Sequence, residues 1–244
     1  MTTAPPARAP RLRGARALFT GREGGVSTGE LASLNLARHI GDENGAVQRN
    51  RERVAEQIGA SLVFVDQVHS SEVHVLDEQG PVPVATADAL VTRRTDVALA
   101  IMVADCLPVL LADPVAGVVA AAHAGRVGLL DGVLEATIAE MAVLGSRPAD
   151  LTASIGPSIC GSCYEVPEQM RERVAAHLPA TRARTRWGTP ALDLRAGAIS
   201  VLETAGVPSA AIDAAHPCTF EDPRCFSYRR STSTGRFAGV VRRA

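Results

Sequence analysis

Lysine is missing altogether: all 25 basic residues of the 244-residue chain are arginine. Chemistries that need an amine on a flexible stem, such as Schiff-base catalysis or the lysine of a P-loop, are excluded. Aromatic residues are scarce, at 3%, but hydrophobic residues at 46% and charged residues at 21% keep an ordinary globular balance. That sets aside disorder, collagen and coiled coil. Neither sign of charge is in excess, because 26 acidic residues bring the net charge to −1. No attraction to nucleic acid or to an anionic membrane surface is expected, and no obligate protein partner is evident. Long apolar runs are lacking as well: Val97 to Val103 and Leu107 to Leu111 are split by Asp105, short of the roughly 20 residues that span a bilayer. The opening residues, rich in Pro, Ala and Arg, contain no apolar export segment. Residues 1–15 read as a disordered tail and the protein as cytoplasmic. Cysteine is limited to five residues, an odd number, which argues against a disulfide framework and for thiols or metal ligands.

What is present reads as one domain over residues 16–244, with no repeat and no Gly/Ser-rich or Pro-rich linker inside it. Ala17 to Thr20 is a short strand, followed by a Gly-, Ser- and Arg-rich loop to Leu36. A helix follows, capped by Asp42 or Asn44, with Ala46, Val47, Val54 and Ile58 on one face and Gly59 at its C-terminal end. Strands are expected at Leu62 to Asp66, Glu72 to Leu76, Ala87 to Thr92, Val97 to Val103, Leu107 to Ala112 and Val118 to Ala122. Their continuous apolar runs suit burial on both faces. The period then changes: Leu129, Val133, Ala136, Met141 and Leu144 fit a helix that stops at Gly145. Leu151 to Ile155 and Phe237 to Val241 read as strands, Pro167 to Leu178 and Leu192 to Ala205 as helices. The fold class is α/β (or α+β), a single domain around a mixed β-sheet with flanking helices.

Three residues stand where strands give way to loops, the usual place for sites on a rigid scaffold. His69 precedes the turn Ser70-Ser71, Cys106 follows Asp105 between two apolar strands, and His123 closes the run from Val118. Two imidazoles and a thiolate suit a catalytic zinc with an open position. They equally suit a cysteine nucleophile with a histidine base. Spacing alone leaves both open, beside the plainer reading of a core thiol and surface histidines. Cys160 and Cys163 form a single C-x-x-C, a weak zinc signal without a second pair, and the H-x-E…P-C-x-x-C pattern of zinc deaminases is absent. The loop Thr20 to Gly29 matches neither G-x-G-x-x-G nor Walker A, although Arg22 could clamp a phosphate or sugar. The segment Phe226 to Arg230 is a second candidate clamp.

The phrases GREGGVSTG, SLNLARHIGDENGAVQRNR, DQVHSSEV, DALVT, ADCLPVLLAD, AAHAG, IGPSICGSCYEV, LDL and CTFEDPRCFSYRRSTSTGR occur in the order seen in the YfiH-like family. The resemblance runs from about Thr20 to Arg236. Members have been described as polyphenol oxidases or laccase-domain proteins, and as purine nucleoside phosphorylases with adenosine deaminase activity. The resemblance implies a single α/β domain similar to a class of cysteine hydrolases, with His69, Cys106 and His123 as zinc ligands and catalytic residues. Apart from that resemblance, the candidate substrate-binding residues are Arg22, His39, Tyr228 and Arg229, with Arg22 and Arg229 as the groups that would hold phosphate. One departure is visible: the family continues from HAG into Trp-Arg-Gly, whereas this chain has Arg126-Val127-Gly128. If that segment is extended, Arg126 faces elsewhere.

Six histidines and no His-x-His pair cannot furnish a self-contained multicopper centre, although Cu²⁺ could displace Zn²⁺ from a His₂Cys site. The expected activity is zinc-dependent phosphorolysis of a purine nucleoside, adenosine or inosine, with methylthioadenosine a further candidate. Inorganic phosphate is the second substrate, and free base and ribose 1-phosphate are the products. Adenosine deamination is an additional activity. The alternatives are a Cys106-dependent amide hydrolase of cell-wall precursors, a copper-dependent polyphenol oxidase and a non-catalytic binding protein.

Overall fold

The computed structural model describes residues 10–76, 80 and 84–244. Its strands are β1 (Ala15–Phe19), β2 (Ser61–Val63), β3 (Val73–Leu76), β4 (Ala89–Thr92), β5 (Val97–Val103), β6 (Leu107–Asp113), β7 (Val118–Ala124), β8 (Thr152–Ile155), β9 (Arg182–Arg184), β10 (Pro190–Leu192), β11 (Ile212–Asp213) and β12 (Phe237–Arg243). The helices are α1 (Asn44–Ile58), α2 (Arg126–Leu130), α3 (Val133–Val143), α4 (Glu168–His177) and α5 (Leu194–Thr204). The strands of this α/β domain divide between two mixed sheets, ordered β1-β12-β5-β2 and β11-β8-β6-β7-β4-β3, with β9 and β10 as a separate hairpin.

The apolar runs are buried on both faces because each sheet is covered twice. In β5, Leu99, Ile101 and Val103 pack against the other sheet, and Ala98 and Ala100 pack toward Val54 and Ile58 of α1. In β6, Leu110 and Ala112 point between the sheets, whereas Leu107, Val109 and Leu111 meet α3 and α5 through Leu134, Met141, Ala198 and Leu202. Two sheets face to face, each backed by helices, result from this period-two alternation. The alternation also turns the side chain of His123, one residue beyond Ala122 of the helix-facing set, toward the opposite side of its sheet.

Local chemistry adjusts several boundaries. Glu43, rather than Asp42 or Asn44, caps α1, its side chain accepting from the Gly45 N–H, while Asp42 accepts from Ser27 Oγ and Asn35 Nδ2. Gly59 ends the helix in the left-handed conformation, as expected. The single helix read from Leu129 to Leu144 is two, because Gly132 takes φ +88 between α2 and α3. The hairpin of β9 and β10 and the two-residue β11 had no apolar run to reveal them. Residues 1–9 of the expected tail lie outside the described residues; Arg13 N–H donates to Thr152 Oγ1 (3.2 Å), and Ala244 N–H donates to the Gly14 carbonyl (3.1 Å). No helix among the described residues is long and apolar enough to cross a membrane.

Candidate functional site

The site is organised by Asp88, a fully buried carboxylate just ahead of β4. Its Oδ1 accepts from the His69 backbone N–H (3.0 Å) and from His123 Nδ1 (2.8 Å). Its Oδ2 accepts from the Val68 and Ser70 backbone N–H groups (3.1 and 2.6 Å) and from Ser70 Oγ (2.9 Å). These bonds wrap the loop after β2 around one anion, and His69 is held at φ +64, a left-handed conformation that non-glycine residues adopt at a cost. Asp105, at φ +93, is the other such residue among those described, and it immediately precedes Cys106. Its carboxylate accepts from Thr219 Oγ1 (2.6 Å) and the Arg229 backbone N–H (2.7 Å), which ties the cysteine turn to the C-terminal loops.

His69, Cys106 and His123 come together. Cys106 Sγ lies 3.8 Å from His69 Nε2, the two imidazole centroids are 4.6 Å apart at 76°, and one ligand atom from each residue lies within 4.8 Å of the other two. With Nδ1 bonded to Asp88, His123 keeps Nε2 for the cavity. The close approach requires glycine at 125, where a Cβ would stand 2.7 Å from His69 Cδ2 and 3.2 Å from Cys106 Sγ. At Gly128 a Cβ would stand 2.8 Å from the Ser70 carbonyl oxygen.

Burial alone would push the Cys106 thiol up, but hydrogen bonding and charge from His123 and His69 outweigh it and bring the thiol down to about 6. Burial likewise disfavours the His123 cation, yet Asp88 and Cys106 raise the imidazole to about 9. Asp88 is lowered: the bonds from His123 and Ser70 overcome the burial that would raise it. The metal-free pair is thus thiolate and imidazolium. As a donor set the triad fits a zinc ion. At metal bonds of about 2.0–2.3 Å, tetrahedral ligands stand about 3.3–3.8 Å apart, in line with the Cys106 to His69 separation, and Asp88 supplies the carboxylate that orients a ligating histidine.

The triad lines a cavity of about 700 Å³. His39, Tyr228 and Arg229 of the expected substrate set line it too; Arg22 does not. Arg22 donates instead to the Ala32 carbonyl, with its guanidinium 5.3 Å from the Phe226 ring centroid. Arg126 lines the cavity because its segment is the first turn of a helix rather than extended chain. The sequence reading missed Asp88, Tyr164 and Arg236. Asp88 had one signal, a carboxylate heading an apolar strand. Arg236 lay in the motif ending STSTGR, and burial lowers its guanidinium. Arg229 stands over Tyr164 (5.2 Å to the ring centroid) and Arg236 over Tyr228 (5.8 Å), so cation and aromatic surface alternate along the wall.

A family model described as multi-copper polyphenol oxidoreductase laccase matches residues 16–244. A protein named purine nucleoside phosphorylase from Streptomyces coelicolor is 51% identical over 234 residues, covering 94% of this chain and 96% of the relative. One of the same name from Corynebacterium glutamicum is 49% identical over 238 residues, covering 95% of this chain and 96% of its own. Among solved structures, the Bacillus licheniformis hypothetical protein YfiH superposes with a TM-score of 0.86 at 29% identity, over 97% of this chain and 98% of the other. A Neisseria meningitidis protein of the DUF152 family gives 0.84 at 37% identity, over 97% of both chains.

Proposed function

The chain belongs to the multi-copper polyphenol oxidoreductase laccase family, with its YfiH-like members, and from that membership we propose that it is a purine nucleoside phosphorylase. Adenosine or inosine reacts with inorganic phosphate to give free base and ribose 1-phosphate. The observation that carries this reading is the presence of three arginines, Arg126, Arg229 and Arg236, in the same cavity as the His69, Cys106 and His123 triad. Planar guanidinium forks suit a phosphate oxyanion, and a phenolic substrate would not call for them.

Phosphate held by these arginines is placed to attack C1′ as the base departs, through a transition state resembling an oxocarbenium ion by analogy with glycoside cleavage. Tyr164 and Tyr228 offer aromatic surface to the purine, and His39 a polar edge. His69, Cys106 and His123 would hold zinc, with Cu²⁺ a competitor for the same ligands. When bound, the metal would supply Lewis acidity for the departing base or for water that deaminates adenosine at C6. Asp88 holds Nδ1 of the His123 ring and the backbone of His69, so His123 turns Nε2 toward substrate or metal.

Metal-defined protein incubated with adenosine and phosphate, its products followed by chromatography, tests the reading. Ribose 1-phosphate supports phosphorolysis, and inosine or hypoxanthine supports deamination. None of these would reject both nucleoside reactions. A second reading, a Cys106-dependent amide hydrolase acting on cell-wall precursors, is favoured by the low thiol pKa beside two imidazoles. Tightly held metal in the active protein would tie up the thiolate and exclude that route. Full nucleoside turnover in a Cys106→Ala variant would exclude the amide hydrolase and show that phosphorolysis needs no ligand at Cys106.

A further inference from the structure

A second cluster of sulfur lies outside the cavity triad. Ligand atoms of Cys160, Cys163, Cys218 and Glu221 all fall within 4.8 Å of one another, although Cys218 is far along the chain from the C-x-x-C pair. We propose that these four residues form a second metal site, a structural zinc centre that clamps the loop carrying Cys160 and Cys163 to the loop carrying Cys218 and Glu221. The spacing that was weak evidence in the sequence becomes a closed set of three sulfurs and one carboxylate once Cys218 is brought to it. Sulfur-rich donors select zinc over hard cations such as magnesium or calcium.

The surroundings are those of metal-bound thiolates. The C-x-x-C closes as a turn, with the Cys163 N–H donating to the Cys160 carbonyl (2.9 Å). The Cys160 N–H donates to Cys218 Sγ (3.4 Å). Arg186 Nη2 donates to Cys163 Sγ (2.8 Å) and pairs with Glu221 (2.6 Å), so one guanidinium orients two of the four ligands and offsets part of their negative charge. The two loops already meet through backbone, since the Thr219 N–H donates to the Ser158 carbonyl (3.1 Å). Cys225, a buried free thiol, stands outside the cluster.

The clamp reaches the cavity only indirectly. Ile159 and Tyr164, beside the C-x-x-C, line the cavity wall, and Thr219, next to Cys218, donates to Asp105 ahead of Cys106. The cluster therefore positions the wall and touches no substrate.

Elemental analysis of reduced protein, purified without added metal and dialysed against a weak chelator, tests the proposal. Wild type is expected to retain two zinc ions per chain, the His69→Ala/Cys106→Ala variant one, and the Cys160→Ser/Cys163→Ser variant one. Cobalt loaded into the His69→Ala/Cys106→Ala variant should show intense thiolate-to-metal charge-transfer absorption. If the Cys160→Ser/Cys163→Ser chain does not fold, the first variant still decides, because it leaves the sulfur cluster intact. Absence of zinc from that folded variant overturns the proposal, and so does a disulfide among the three cysteines in non-reduced peptides. A failure of nucleoside turnover would not bear on either readout.

Discussion

Asp88 is the residue on which the triad turns. Exchanging its carboxylate for an amide leaves the volume unchanged but removes the negative charge and offers N–H groups where three backbone N–H groups and His123 Nδ1 point. Buried donors left without acceptors cost about 1–3 kcal/mol, and more where charge is involved. Asp88→Asn is expected to lower stability by about 2–4 kcal/mol in chemical denaturation and metal affinity by about 10–100-fold in competition with a chromophoric chelator. Wild-type affinity in a folded Asp88→Asn protein would show that the second imidazole needs no anchor. A second residue-level consequence concerns Cys106, whose thiol is held at about 6 while burial pushes Cys160 and Cys225 up to about 12. In metal-free protein, alkylation should occur first at Cys106. Its rate should be flat above about pH 7 and fall as the pH drops through about 6, where the thiolate takes up a proton; peptide mass mapping across pH reads this. A rate still climbing toward pH 9 would place an ordinary thiol there. His69, Cys106 and His123 could be singled out in the sequence because strand ends are local features. Asp88 could not, because its role is set by a loop some 20 residues earlier that only the fold brings to it.

At the scale of elements, continuous apolar runs made β5, β6 and β12 legible. Which sheet each joins was not, since pairing such as β12 with both β1 and β5 joins distant segments. The helix after His123 was legible by its period, but its break depends on Gly132 adopting a left-handed φ, which composition alone does not dictate. That start matters for Arg126: successive residues on a helix turn by about 100°, so an arginine displaced by one position need not leave the cavity. The same short helix rests its backbone on the loop of His69 through Gly128. Gly128→Ala puts a methyl group against the Ser70 carbonyl, a backbone atom that Asp88 holds in place, so α2 must give way. Overpacking of this kind costs about 1–3 kcal/mol. The expected outcome is a lower melting temperature together with weaker phosphate binding, because Arg126 rides on the displaced helix. A fall in stability with phosphate affinity intact would remove Arg126 from the anion site.

Across the whole molecule, His69 is held by Asp88 just ahead of β4, while Cys106 precedes β6 and His123 stands on β7, so the metal-ligand set exists only when strands distant in sequence have paired. An ion bound to this set binds the folded state alone, and at a thousandfold excess over Kd it stabilises that state by about 4.1 kcal/mol. For a chain of this length each 1 kcal/mol moves the melting temperature by about 2–4 °C, so zinc should raise Tm by about 8–16 °C in a Cys160→Ser/Cys163→Ser background that isolates the triad. The sign of the pH dependence follows from the metal-free charges. Between about 6 and 9 Cys106 is already a thiolate but His123 carries a proton that zinc must displace, so binding at pH 7–8 should release about one proton per ion. Calorimetry in buffers of different ionisation enthalpy measures that release directly. As the pH falls below about 6 the Cys106 thiolate takes up a proton that zinc must also displace, affinity drops more steeply, and the zinc-dependent rise in Tm should shrink toward zero. A rise that persists undiminished at pH 5, or binding without proton release at pH 8, would mean that the ion sits on ligands other than His69, Cys106 and His123.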